Sequence, residues 1–91
     1  MSEFRVAEHV RWAVEAAGVM LINDATGASL SLGYPQAAIW DFLARGESRE
    51  RMVAKLCAIA ALEPAAAQAL AVETIAAWWE AGFVAPVDSS G

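Results

Sequence analysis

Side chains able to do chemistry are few in this 91-residue chain, and they do not converge. There is one histidine, His9, and one cysteine, Cys57. His9 falls near the start of an extended segment and reads as a surface strand residue. Cys57 falls inside a helical segment beside its apolar stripe, and reads as a small buried hydrophobe rather than a nucleophile. A lone cysteine forms no internal disulfide, which suits a reducing compartment and a cytoplasmic location. No CxxC, HExxH or His–carboxylate cluster offers ligands to a metal. Gly18, Gly27, Gly33, Gly46 and Gly82 are scattered at turns and helix ends, so there is no phosphate loop. The carboxylates are dispersed, and nothing in the sequence joins Asp41 to Glu80. The pattern speaks against an enzyme, and no cofactor is expected.

The net charge of -5 and pI of about 4.6 speak against a nucleic-acid partner, since phosphate binding draws on a basic face. Arg45, Arg49, Arg51 and Lys55 cluster on one segment, but as a solvated helix face balanced by Glu47 and Glu50. Met1-Ser2-Glu3-Phe4-Arg5 does not open a signal peptide. The most apolar stretch, 64 to 79, carries Pro64, Gln68 and Glu73, so neither a membrane span nor a membrane partner is expected. Hydrophobic residues make up 58% of the chain, although 22 of them are alanine. Four Trp and three Phe still allow one modest core.

These few groups must be positioned by small elements. Val10, Trp12 and Val14 alternate with Arg11, Ala13 and Glu15, the period of a half-buried strand. Ala16-Ala17-Gly18 allows a tight reversal. Val19-Met20-Leu21-Ile22 is a second strand, Asn23-Asp24-Ala25-Thr26-Gly27 supplies turn chemistry, and Leu30-Ser31-Leu32 alternates as a third. Pro35 suits the first position of a helix over 36 to 45 that buries Ile39, Trp40, Phe42 and Leu43. Gly46 ends it and Ser48 caps a second helix, with Met52, Val53, Leu56 and Ile59 or Ala60 as its buried stripe. Glu63-Pro64 starts a third helix, about 65 to 81, stopped by Gly82; Phe83-Val84 continues as an extended piece. The expected fold is α+β and winged-helix-turn-helix-like: a three-stranded antiparallel sheet followed by three helices. The expected domain spans 5–85, with a flexible N-terminus over 1–4 and a flexible tail over 86–91.

The third helix is apolar around most of its circumference. At about 100° per residue, Ala71, Ile75 and Trp78 form the core stripe. Val72 and Trp79 lie on one flank, and Leu70, Thr74 and Ala77 on the other. Glu73 and Glu80 fall nearly opposite the stripe, and the helix has no Lys or Arg. A recognition helix of that composition repels phosphates.

The stretch "GVMLINDATGASLSLGYPQAAIWDFLARGES" resembles the PqqD family: an apolar strand, a turn with Thr-Gly, an aliphatic–polar strand, then a helix with Ile-Trp and a glycine-containing stop. "IAAWWEAGFV" is similar to that family's closing helix. The resemblance covers roughly residues 6 to 85. Gly33 and Tyr34-Pro35 depart from the family's usual helix start. The resemblance implies a recognition element for ribosomally made, post-translationally modified peptides. Such an element takes the leader of a precursor peptide as an added strand between its third strand and third helix. It presents the peptide to a modifying enzyme, such as a radical-SAM protein in cofactor biosynthesis or a leader protease in lasso-peptide pathways.

The residues offer the same device by themselves. A third strand with a free border presents unpaired N–H and C=O groups that a peptide can satisfy. Ser29, Leu30, Ser31 and Leu32 are the expected backbone contacts. Val72, Ile75 and Trp79 are the expected floor of the groove, with Leu70, Thr74 and Ala77 as the alternative. Two other readings remain open: a winged-helix DNA-binding regulator, and a homodimer pairing its own third strands edge to edge. The expected state is a monomer or weak homodimer.

Overall fold

The computed structural model of the chain describes residues 4–87, and the flexible ends expected over 1–3 and 88–91 lie outside the described residues. Its elements run β1 (Phe4–Val6), β2 (Val10–Glu15), β3 (Gly18–Asn23), β4 (Ser29–Leu32), α1 (Gln36–Ala44), α2 (Arg49–Ala60), α3 (Pro64–Ala81) and β5 (Val84–Pro86). β2, β3 and β4 form a three-stranded antiparallel sheet in that order, and the three helices follow. This is the expected α+β architecture. The chain turns by 114° between α2 and α3, the geometry of a helix-turn-helix. The third strand of the sequence reading is β4, because one more strand precedes the sheet.

That strand is β1. It pairs antiparallel with β5, Phe4 opposite Pro86 and Val6 opposite Val84. Phe4 and Pro86 are therefore not loose, contrary to the expectation for 1–4 and 86–91. Three residues pairing with a segment some 80 positions away leave no local signal.

Antiparallel pairing alternates residues that exchange both main-chain hydrogen bonds with residues that exchange none. The Asn23 N–H donates to the Ala28 carbonyl at 2.9 Å, one step before the Ile22–Ser29 pair. The alternation makes Leu21–Leu30 and Val19–Leu32 the bonded pairs. The N–H and C=O groups of Ser29 and Ser31 therefore point away from β3. At the far end of the hairpin, a Cβ on Gly18 would stand 1.7 Å from the Leu32 carbonyl oxygen, so only glycine admits this approach of β4.

Val19, Leu21 and Leu32 from the sheet meet Ile39, Trp40, Leu43, Met52, Leu56, Ala67, Ala71, Ile75 and Trp78 in one core. Val10 joins them, but Trp12 is 44% exposed and Val14 76% exposed. The half-buried strand expected there is covered only at its start, because β2 is a border strand overhanging the helices. Trp12 keeps an edge-on contact with Trp40, whose ring in turn meets Trp78 edge-on. In α2, Ala60 is half-buried and Ile59 exposed, which decides that pair. Ser48 caps α2, its Oγ accepting the Arg51 N–H. Pro35 sits at the N-cap of α1, one position before the first helical residue where it was expected.

Asn23 does more than turn the chain. It is buried, and its Nδ2 donates to the Gly82 carbonyl at 2.8 Å while its Oδ1 accepts the N–H groups of Ala25 and Thr26. One side chain thus ties the β3–β4 turn to the end of α3.

Candidate functional site

β4 pairs with β3 on one side, and no described strand pairs with its other side. Ser29 and Ser31 are exposed, Leu30 is half-buried and Leu32 is buried. Leu30 and Leu32 therefore turn to the helices, while the outward main-chain groups of Ser29 and Ser31 line the vacant border. The border closes at Gly33, whose carbonyl accepts the Ala37 N–H at 2.8 Å as α1 begins.

Beside this border lies an open groove of about 510 Å³. Leu30 forms its sheet wall, Gln36 its end, and Leu70, Glu73, Thr74, Ala77, Trp78 and Ala81 its helix wall. The spacing of Leu70, Thr74, Ala77 and Ala81 is that of one helical stripe. Thr74, Ala77 and Ala81 are small, which leaves room for foreign side chains.

Val72, Ile75 and Trp79 do not line the groove beside β4, although Ile75 shares the core with Leu32. They line a second, more enclosed cavity of about 150 Å³ with Phe4, Glu47, Arg49, Met52 and Ala76. Trp79 stands edge-on to Phe4, ring centres 5.4 Å apart. The correction has a simple cause. Both flanks of the core stripe are equivalent on a helical wheel, and the crossing of α3 over the sheet decides which flank meets β4. The flank beside β4 is the one held as the alternative, Leu70, Thr74 and Ala77. Sequence reasoning missed Gln36 and Glu73 as groove residues and placed Trp78 in the core alone. The run of small residues along one stripe was the available signal.

Glu73 is the charged residue on the groove wall, so the field there favours cations. Arg45, Arg51 and Lys55 do not line this groove, and each is ion-paired within the chain. Lys55 Nζ lies 2.9 Å and Arg51 Nε 3.4 Å from Glu47, and Arg45 lies 3.2 Å from Asp41. The Lys55 hydrogen bond holds the Glu47 carboxyl below its usual range. α3 carries Glu73 and Glu80 and no base. This is not the electrostatics of a DNA-reading helix.

Among the described residues no three His, Cys, Asp or Glu side chains are placed to hold a metal ion. Nor is any single helix there long and apolar enough to cross a membrane.

No family model matches the chain. No curated protein matches it either. Two solved structures share its fold. One is a lasso peptide synthetase B1 complexed with the leader peptide, at a TM-score of 0.85 and 22% identity, covering 93% of this chain and 100% of that one. The other is TbiB1 in complex with the TbiA(beta) leader peptide, at a TM-score of 0.84 and 20% identity, covering 88% of this chain and 93% of that one. At such identities the likeness is one of fold.

Proposed function

We propose that this chain is a PqqD-like recognition domain that binds the leader of a ribosomally made precursor peptide. The leader adds as a strand to β4, and the chain presents the peptide to a maturation enzyme, such as a radical-SAM protein or a leader protease. The observation that carries this reading is the vacant β4 border with its outward Ser29 and Ser31 groups beside the α3 groove. The two proteins of the same fold are described with a leader peptide bound, which supports it.

Ser29 and Ser31 each offer one N–H and one C=O, and each bond made contributes about 0.5–1.5 kcal/mol net. These bonds hold any extended peptide. Selectivity comes from the groove, where alternate leader side chains meet Leu30, Leu70, Thr74, Ala77 and Trp78. Each aliphatic or aromatic side chain buried there contributes roughly 2–3 kcal/mol before ordering costs. Glu73 favours a lysine or arginine at the groove's rim. The chain's role is recognition, and catalysis belongs to the partner enzyme.

The test is a titration of the isotope-labelled chain with the leader of the precursor encoded beside its gene. Amide resonances of residues 28 to 33 should shift together with those of Leu70, Thr74 and Ala77. A saturating leader that shifts residues 72, 75 and 79 but leaves 28 to 33 unmoved would overturn the strand-addition reading.

A further inference from the structure

The sheet has a second border, β2, which the leader site does not use. The Asp24 N–H donates to the His9 carbonyl at 2.8 Å, so Arg11–Ile22, Ala13–Met20 and Glu15–Gly18 are the bonded pairs between β2 and β3. The main-chain groups of Trp12 and Val14 consequently point outward. Their side chains, on the helix side of the sheet, are also the least covered of its large apolar groups there.

We propose that two copies of this chain pair through β2, antiparallel about a two-fold axis at Ala13, into one continuous six-stranded sheet. The side chains fix both the occupant and the register. Only outward-facing residues exchange hydrogen bonds, so Trp12 stands opposite Val14 of the second copy, and Val14 opposite its Trp12. This apolar pair lies on the helix side. On the solvent side the same register puts Arg11 opposite Glu15 of the second copy, twice by symmetry. Arg11 gives Nε and Nη2 to Asp24 at 2.7 and 3.0 Å, which leaves Nη1 for the incoming carboxylate. Ala13 meets Ala13 at the axis, where unbonded pairs bring Cα atoms to about 4.5 Å and a small side chain fits. A slip by two residues puts Trp12 against Trp12 and Arg11 against Ala13, losing both complementarities. The strand is thus self-complementary in one register, the requirement for a two-fold interface. Both β4 borders lie at the far ends of the joined sheet, so the pairing stands whether or not β4 takes a leader.

An interface of one short strand is small, and the expected dissociation constant is on the order of 100 µM. Sedimentation equilibrium of the intact chain from about 10 µM to about 1 mM should show the mass rising toward a dimer. Glu15→Arg and Arg11→Glu should each weaken self-association about tenfold, through two like-charge pairs. An equimolar mixture should restore it to within about twofold of wild type, because each copy then faces its opposite. Val14→Ser, a change at an exposed side chain, should weaken it about threefold should Arg11→Glu fail to fold. Amide exchange of Trp12 and Val14 should slow as concentration rises. A monomer at millimolar concentration, or charge variants that associate as wild type does, overturns the proposal. So does concentration-dependent protection of Ser29 and Ser31, which would move the pairing to β4. Leader binding by Val14→Ser reads β4 alone, because Glu15 borders Ser31 and Leu32 and Val14 does not: its loss tells against the leader reading and leaves the β2 pairing standing.

Discussion

Ser31→Pro separates peptide capture from folding. The Ser31 N–H points to the vacant border, and Ser31 faces Met20 in an unbonded pair. Proline there removes no bond of the β3–β4 ladder, and its ring is tolerated on a border strand. Leu30 before it is already extended, the conformation proline demands of its predecessor. The fold should lose no more than about 1 kcal/mol. Binding fares differently. One bond of about 1 kcal/mol is lost with the N–H, and the leader carbonyl that would accept it is left desolvated for about 1–3 kcal/mol. The ring also fills the space where a strand must come to about 4.8 Å. The sum, about 2–4 kcal/mol, is a loss of roughly thirty- to a thousandfold in affinity. Leu30→Pro is the matched control. Its N–H bonds inward to Leu21, so it should damage the hairpin itself. Isothermal titration with the leader, beside thermal melts of both variants, makes the measurement. A folded Ser31→Pro chain that binds the leader as tightly as wild type refutes strand addition at β4.

The two flanks of α3 should behave differently. Ala77→Trp fills the groove and should weaken leader binding about tenfold in the same titration, by excluding one apolar anchor. Trp79→Ala should leave affinity within about twofold but lower stability by about 1–2 kcal/mol in denaturant melts, because it loses its contact with Phe4. The reverse ordering would put the leader on the other flank. Asn23→Ala deletes the bond to Gly82 and both turn bonds, which should lower stability by about 2–3 kcal/mol, or about 10–20 °C in melting temperature. Arg11 holds Asp24 below the usual carboxylate range by its hydrogen bond, as Lys55 holds Glu47. Both carboxylates favour their charged form in the folded state. Their stabilisation is therefore complete only above the unfolded-state values, from about pH 5.5 upward, begins to fall below that, and is gone once pH has dropped through the lowered values, which melts at stepped pH should show.

Much of this was written locally. The alternation of Leu30-Ser31-Leu32 sets which side chains enter the core and which main-chain groups stay free. The glycines and Ser48 punctuate the helices through conformational and capping preferences that need no distant partner. Ala71, Ile75 and Trp78 declare the buried stripe of α3 by their spacing alone, as the structure has it. Poverty in reactive groups and the acidic third helix likewise belong to composition.

Other features depend on how elements meet. The exposure of Trp12 and Val14 follows from the overhang of a border strand, which strand periodicity does not encode. The pairing of Phe4–Val6 with Val84–Pro86 joins segments some 80 positions apart, and although Phe83-Val84 reads as extended, nothing local names its partner. Leu70, Thr74 and Ala77, rather than Val72 and Trp79, stand beside β4 because α3 crosses the sheet at one angle and not its mirror image. Local sequence thus determined the vacant strand and the greasy helix. Only tertiary packing decided which side of that helix the vacancy faces, because a wheel is symmetric about its core stripe until a second surface breaks the symmetry.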